Sequence, residues 1–446
     1  RLDRLYVDRA CCHNEHIAFR NRVAFQVPEP SRTGIEALKR VLVTKADHMR
    51  RGVVSKYNST DEPLRFYPMA PHQVVKYYGA DTPKGRLYAQ AYVELSTRQV
   101  DTKDAQLTMF VKAEKLPIDF STDPLTKDPR AIQFRGPIYS AALARYTLAL
   151  EMPFYRCTPG ATKGLSSKAK GEVMSEMAQE FANPVFVSLD CSRFDAHVSS
   201  RLLKVEHSFY KRLFKSRSFG PLLRMQLTNK VYSRTGLKYT VLGGRMSGDM
   251  NTALGNNVLQ WGMVHAWLEA CALRYMFIFD GDDVVICCER NDAVRIDVSL
   301  YEKMFGMKAK LEIHSSIETV EYCKGLFFGV IGDLRFGRKP LESLVKDIHT
   351  TKLLTSKEQV RDYMYTLGCC MAHSYNGIPI LWKLANLIRT NYPTGNVHSA
   401  LRHEWLRGHS QMAEPPTIQA RTTLDFNGVT AEQQIRIEDS LLVYRL

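Results

Sequence analysis

The apolar positions of this chain fall into runs of different period, and each run predicts an element. Residues 137 to 152, PIYSAALARYTLALEM, set Ala141, Leu143, Tyr146, Leu148 and Leu150 among small residues and predict a packed helix. The segment 184 to 189, PVFVSL, is a short continuous apolar run and predicts a buried strand. Residues 198 to 214 mix Leu202, Leu203, Val205, Phe209, Leu213 and Phe214 with Arg and Lys at roughly helical spacing, which predicts an amphipathic helix. In 275 to 287, YMFIFDGDDVVIC, two β-prone runs flank an Asp-Gly turn, the strongest short signal for a hairpin, and carboxylates then sit at its tip. Toward the C-terminus, helical stretches such as 379 to 389 alternate with turn clusters such as Asn391 to Asn396 and predict a helical lobe.

With 446 residues, 45% of them apolar, the chain exceeds the roughly 250 to 300 residues at which one core stops growing, so two or three lobes are expected. No internal repeat, low-complexity tract or Gly/Ser linker separates them, and the lobes are expected to wrap around one another. There is no run of 18 or more apolar residues, and the first 30 residues carry Arg1, Arg4, Arg9, Arg20 and Arg22 without a signal-peptide core. The chain begins at Arg1 rather than Met and reads as a piece of something longer, whose absent part is the expected place for any membrane anchor.

Charge narrows the partners. Lys and Arg outnumber Asp and Glu by 61 to 46, which favours a polyanion, either nucleic acid or an anionic membrane surface. Residues 1 to 57 hold 12 basic against 6 acidic side chains and residues 335 to 410 hold 11 against 5, so a positive channel is expected where distant segments meet. Ten cysteines include the adjacent pairs Cys11-Cys12, Cys287-Cys288 and Cys369-Cys370, which suit free thiols in a reducing compartment. Cys11, Cys12, His13 and His16 match no common structural-zinc spacing.

The acidic residues carry the sharpest chemistry. Asp280, Asp282 and Asp283 crowd like charge onto one turn, which solvent or a cation must relieve. In DCSRFD, Asp190 stands at the end of the predicted strand and Asp195 lies beyond a bend. A strand-end aspartate beside hairpin-tip aspartates makes an oxygen-rich pocket suited to Mg²⁺ or Mn²⁺. Two such ions about 3.5 to 4 Å apart activate a hydroxyl and neutralise a leaving pyrophosphate. Between the acids, GGRMSGDMNTALGNN (243 to 257) passes from a loop into a helix, with Thr252 and Asn256 one turn apart. Ser247, Thr252 and Asn256 offer hydrogen bonds suited to a ribose hydroxyl, with Asp195 accepting from the same group; a capped helix N-terminus is the alternative. Upstream, Lys112, Lys115, Arg130 and Arg135 suit the clamping of triphosphate oxygens, or equally surface ion pairs with the interleaved acids. No GxxxxGK[ST] segment is present, which disfavours a P-loop NTPase.

Taken in order, VKAEKL with DPRAIQFRGPIY, LDCSRFDAHVS, GGRMSGDMNTALGNN and FDGDDVVI closely resemble the motif series of positive-strand RNA virus RNA-dependent RNA polymerases, most specifically the tombusvirus-like group. YEKMFGMKAKLE and VEYCKGLFF fall where two weaker motifs are expected, and the recognisable block spans about residues 107 to 330. The resemblance implies an α+β right-hand fold with a small antiparallel palm sheet packed on helices. It divides the chain into an N-terminal extension and fingers (1–182), palm (183–204), a fingers insertion (205–239), palm again (240–333) and thumb (334–446). It implies template-directed RNA synthesis with two Mg²⁺ or Mn²⁺ ions held by Asp190, Asp282 and Asp283. Asp195 and Asn256, with Ser247 and Thr252 nearby, are then expected to select ribose, Lys112, Lys115, Arg130 and Arg135 to hold the triphosphate, and Lys308 or Lys310 to protonate the pyrophosphate. Implied partners are template and nascent viral RNA, ribonucleoside triphosphates, other viral replication proteins and host membranes, in replication complexes of the host cytoplasm. A DNA-copying enzyme is disfavoured by the Asp195 and Asn256 pair, and a non-catalytic assembly subunit by acids intact at every expected position.

Overall fold

The structure, a computed structural model, describes residues 5–7, 11–51, 66–117, 128–350 and 352–442. Strand β1 (Leu5–Val7) pairs antiparallel with β3 (Lys115–Pro117). A four-stranded sheet in the order β4-β2-β6-β7 joins β2 (Leu107–Val111) and β4 (Ala131–Arg135) to the hairpin of β6 (Thr228–Ser233) and β7 (Lys238–Leu242). Its β2–β6 contact is parallel, with Leu107 opposite Val231. The central sheet, β10-β5-β9-β8, is antiparallel throughout and consists of β5 (Pro184–Cys191), β8 (Tyr275–Asp280), β9 (Asp283–Glu289) and β10 (Ala309–His314). A further hairpin is formed by β11 (Gly325–Val330) and β12 (Asp333–Arg338).

Both faces of the central sheet are covered. Val187, Leu189 and Cys191 of β5 join Phe277, Phe279, Val284 and Ile286 in a core completed by the helices Arg32–Arg50, Ser200–Leu213, Thr252–Ala270 and Val298–Phe305. On the other face Phe186, Val285, Cys287 and Ile278 pack against Met174 and Met177 of the helix Ser167–Gln179 and against Phe327 and Leu334 of the β11–β12 hairpin. A strand buried on both faces has no polar side, which is why PVFVSL reads as an unbroken apolar run.

The helix expected at 137 to 152 spans Pro137–Arg156, and Pro137 occupies the first turn, where its missing N–H costs nothing. The amphipathic segment forms Ser200–Leu213, started by Ser199, whose hydroxyl accepts from the Leu202 N–H at 3.3 Å. The stretch at 379 to 389 forms Leu381–Asn391, which with Lys357–Ser374 builds a separate C-terminal cluster that also takes in Leu326 and Phe328 of β11. All ten cysteines are free thiols. Cys11 accepts from the Asn14 N–H at the start of a helix, so its sulfur serves as a cap. Among the described residues no helix is long and apolar enough to cross a membrane.

Candidate active site

Strand register brings the acids together. The β5–β9 ladder ends at Leu189 opposite Val284, and the β8–β9 hairpin ends at Asp280 opposite Asp283. One step further along β5 sets Asp190 level with Asp283, and on its other side Asp190 lies opposite Lys310 of β10. Opposed residues on neighbouring strands share a face, so Lys310, Asp190, Asp283 and Asp280 form one row across the end of the sheet. Asp282 occupies the turn. Gly281 beside it adopts φ +70°, a left-handed conformation that only glycine enters without cost. The helix Thr252–Ala270 fixes this turn: the Gly281 N–H donates to Asn257 Oδ1 at 2.9 Å, and Gln260 Nε2 reaches the Asp282 carbonyl at 3.4 Å.

Asp190, Asp282 and Asp283 keep solvent-open edges, yet the surrounding protein strips water from the two tip carboxylates. Burial raises the Asp282 carboxyl above its ordinary range, with Asp190 and Asp280 reinforcing the rise and Arg130 opposing it. Asp283 is pushed up to about 6, by burial first and then by the charge of Asp282. Such a site gains from a bound cation, and its all-oxygen donors suit a hard divalent ion. Among the described residues no three His, Cys, Asp or Glu side chains converge closely enough to hold an ion by themselves. The carboxylates are therefore a partial donor set, the arrangement Mg²⁺ accepts when waters and substrate phosphates complete its shell.

Next to the acids lies a polar pair. Arg193, in the bend between Asp190 and Asp195, adopts φ +50°, a conformation that costs a non-glycine residue energy and turns the chain sharply into the short helix Phe194–His197. This places Asp195 where Asn256 Nδ2 donates to its Oδ1 at 2.7 Å. Burial raises the Asp195 carboxyl, while the Asn256 hydrogen bond holds it down. Ser247 and Thr252 are less free than the sequence suggests. The Ser247 hydroxyl donates to the Ala131 carbonyl at 2.7 Å, and that of Thr252 donates to the carbonyls of Met246 and Asp249, both at 2.8 Å. Their protons are committed to the loop, leaving only lone pairs for a ligand.

The basic residues separate into two groups. Lys112 and Arg130 are exposed and share Glu114, at 3.1 Å and 3.4 Å, and Arg130 is near enough to Asp195 and Asp282 to oppose the rise of both carboxyls. Lys115 opens β3, but its side chain lies outside the described residues. Arg135 corrects the expectation of a phosphate clamp. Its side chain is 1% exposed, bound to Asp249 at 2.7 Å, and it donates also to the Ala105 carbonyl and Asn229 Oδ1. Every guanidinium nitrogen is thus committed inside the protein. Lys308 and Lys310 are both exposed at the edge of a cleft of about 1140 Å³. Lys310 is the one aligned with Asp190, whereas Lys308 accepts the Ser192 N–H through its carbonyl at 2.8 Å.

Against known families, residues 5–440 match the one described as viral RNA dependent RNA polymerase. The chain belongs to that family. Among its relatives is the RNA-directed RNA polymerase of tobacco necrosis virus (strain A), 34% identical over 346 residues, which cover 74% of this chain and 47% of the relative. The RNA-directed RNA polymerase of melon necrotic spot virus is 32% identical over 75% of this chain and 43% of its own length. That of tomato bushy stunt virus (strain Cherry) is 30% identical over 80% and 45%. The chain thus spans less than half the length of these curated relatives.

Within this member of the viral polymerase family, several residues at the site escaped the sequence reading. Asp128 accepts from Asn21 Nδ2 at 2.6 Å and from Arg193 at 2.9 Å, while its carbonyl accepts from Arg22 at 3.0 Å, so two further cations gather beside Arg130. Among the described residues the buried Arg22 Nε has no hydrogen-bond partner. The other omission is the buried pair Arg245 and Glu206. Arg193 and Arg245 stand inside the quoted motifs as charges among small or apolar residues, and that contrast was the available signal. Arg22 carries no local sign.

Proposed function

We propose that this chain performs template-directed RNA synthesis for a positive-strand RNA virus, acting as the catalytic part of an RNA-dependent RNA polymerase. The observation that carries the reading is the register that sets Asp190, Asp283 and Asp280 in one row at the end of the central sheet with Asp282 in the turn, beside the hydrogen-bonded Asp195 and Asn256. In this reading the central sheet is the palm, the β4-β2-β6-β7 sheet belongs to the fingers and the C-terminal helical cluster is the thumb. The reaction joins the 3′-hydroxyl of a growing RNA to the α-phosphate of a paired ribonucleoside triphosphate, releasing pyrophosphate. Two Mg²⁺ or Mn²⁺ ions, when bound, supply activation of the attacking hydroxyl and neutralisation of the leaving charge.

The protein's own residues do the rest. Asp190 and Asp282, with Asp283 beside them, would hold the divalent ions, with waters and substrate phosphates completing the shell. Arg130 and Lys112, kept in place by Glu114, meet the triphosphate. Asp195 and Asn256 face the ribose, where a site built to hydrogen-bond a hydroxyl rejects the sugar that lacks it. Lys310 is the better placed of the two lysines to give a proton to pyrophosphate, because it shares the row of Asp190.

The test is incorporation of labelled ribonucleotide on a short RNA template, with and without Mg²⁺ or Mn²⁺. Metal-dependent product that disappears in Asp282→Asn and in Asp190→Ala, with RNA binding retained, is expected. Undiminished turnover in both variants would sink the assignment.

A further inference from the structure

We infer that Arg245 is a positioning residue for sugar discrimination: it locks the side-chain amide of Asn256 in the one orientation that serves Asp195 and the ribose. The inference rests on the reading of Asp195 and Asn256 as the sugar-selecting pair.

The geometry is specific. Arg245 Nε donates to Asn256 Oδ1 at 2.9 Å, and Asn256 Nδ2 donates to Asp195 Oδ1 at 2.7 Å. The Arg245 backbone N–H also donates to the Asp195 carbonyl at 2.7 Å. A guanidinium only donates and a carboxylate only accepts, so an amide between them has a single satisfied orientation. Its oxygen faces Arg245, one N–H serves Asp195 and one N–H is left for a ribose oxygen. Turning the amide over sets its oxygen against Asp195 and its N–H groups against Arg245.

Arg245 is itself held from behind. Its guanidinium pairs with Glu206, both side chains at most 2% exposed, and Glu206 also accepts from Asn251 Nδ2 at 2.6 Å. Asn251 accepts in turn from the buried Tyr210 hydroxyl at 2.9 Å. Room for the guanidinium comes from Gly255, the residue before Asn256 in the helix Thr252–Ala270. A Cβ there would lie 2.4 Å from Arg245 Nη2 and 2.6 Å from Cζ. Neither Arg245 nor Gly255 belongs to the acidic row or the phosphate-facing cations, so their part in the reaction passes through Asn256.

The experiment compares kcat/KM for ribonucleoside and 2′-deoxyribonucleoside triphosphates in Arg245→Lys, Gly255→Ala and Asn256→Ala. Lysine keeps a positive charge toward Glu206, but one ammonium does not reproduce the fork that serves Glu206 and Asn256 together. Alanine at 255 adds a good helix former while displacing the guanidinium. Removal of Glu206 or Arg245 outright is avoided, because it leaves a buried charge unpaired and unfolding would mask the result. The ribo-to-deoxy ratio should fall by about tenfold in each variant, roughly one hydrogen bond no longer aimed at the sugar. In the Asn256→Ala background, Arg245→Lys should add no further loss. A ratio that falls in Asn256→Ala but stays at the wild-type value in Arg245→Lys and Gly255→Ala overturns this inference alone. So does an equal loss of turnover with both sugars, which assigns Arg245 to scaffold. A ratio unchanged in Asn256→Ala removes the sugar-selecting reading and this inference with it.

Discussion

Replacing Arg135 by alanine separates the structure from the expectation its sequence raises. The guanidinium makes three hydrogen bonds, to Asp249, the Ala105 carbonyl and Asn229, and lies 4.8 Å from the Tyr139 ring centroid. The Arg135 and Asp249 side chains are 1% and 4% exposed, so truncation strands a carboxylate and two neutral acceptors out of reach of bulk water. Breaking a buried pair from one side costs about 3 to 5 kcal/mol, a large share of the roughly 5 to 15 kcal/mol by which proteins are stable. The assay is urea unfolding followed by fluorescence, together with nucleotide KM in whatever activity remains. Arg135→Ala should lose about 3 to 5 kcal/mol, whereas Arg130→Ala should unfold like the parent and show a raised nucleotide KM. The double variant Arg135→Met with Asp249→Leu should recover the part of the loss that comes from the stranded carboxylate, while the Ala105 carbonyl and Asn229 stay unsatisfied. If Arg135→Ala unfolds at the parental midpoint but raises KM, the guanidinium contacts substrate and the reasoning fails.

Two further outcomes follow from named contacts. Thr252→Val removes the hydroxyl that donates to the Met246 and Asp249 carbonyls and should cost about 1 to 2 kcal/mol while leaving the ribo-to-deoxy ratio near the parental value; a collapsed ratio would return Thr252 to the sugar. His265 is lowered to about 4 by burial, with the Lys45 cation adding to the effect, and it packs among Trp261, Tyr275 and Phe277. A depressed folded value means that the unfolded chain takes up the proton first. The contribution of neutral His265 is therefore whole above pH 6.5 and shrinks as pH falls toward 4. Between pH 7.5 and 4.5 the parent should lose about 2.5 kcal/mol more than His265→Gln in urea unfolding; parallel losses would contradict this.

What the chain disclosed beforehand follows the range of the forces involved. β5 and the β8–β9 hairpin are legible because burial on both faces and an Asp-Gly turn are local facts. The acidic site is legible for the same reason: each aspartate ends a strand or occupies a turn. Arg135 was misread because nothing near it announces Asp249, which reaches it only through the fold. Arg22 was missed because its partner Asp128 belongs to another segment, and Arg245, in a loop, because its charge is answered by Glu206 in the helix Ser200–Leu213. Sheet order was not legible either. The parallel β2–β6 pairing and the insertion of β5 between β10 and β9 depend on contacts between distant parts of the chain.

That sheet order has a consequence for synthesis of the protein itself. β5, which delivers Asp190, leaves the ribosome well before β9 and β10, the two strands that flank it. Until they arrive its edges stand open, and pairing across so long an interval is slow and exposes strand to aggregation. A chain that stops before Asp283 has neither the hairpin-tip acids in their row nor a partner for β5 from β9 or β10, and leaves an apolar strand for chaperones or proteases to find.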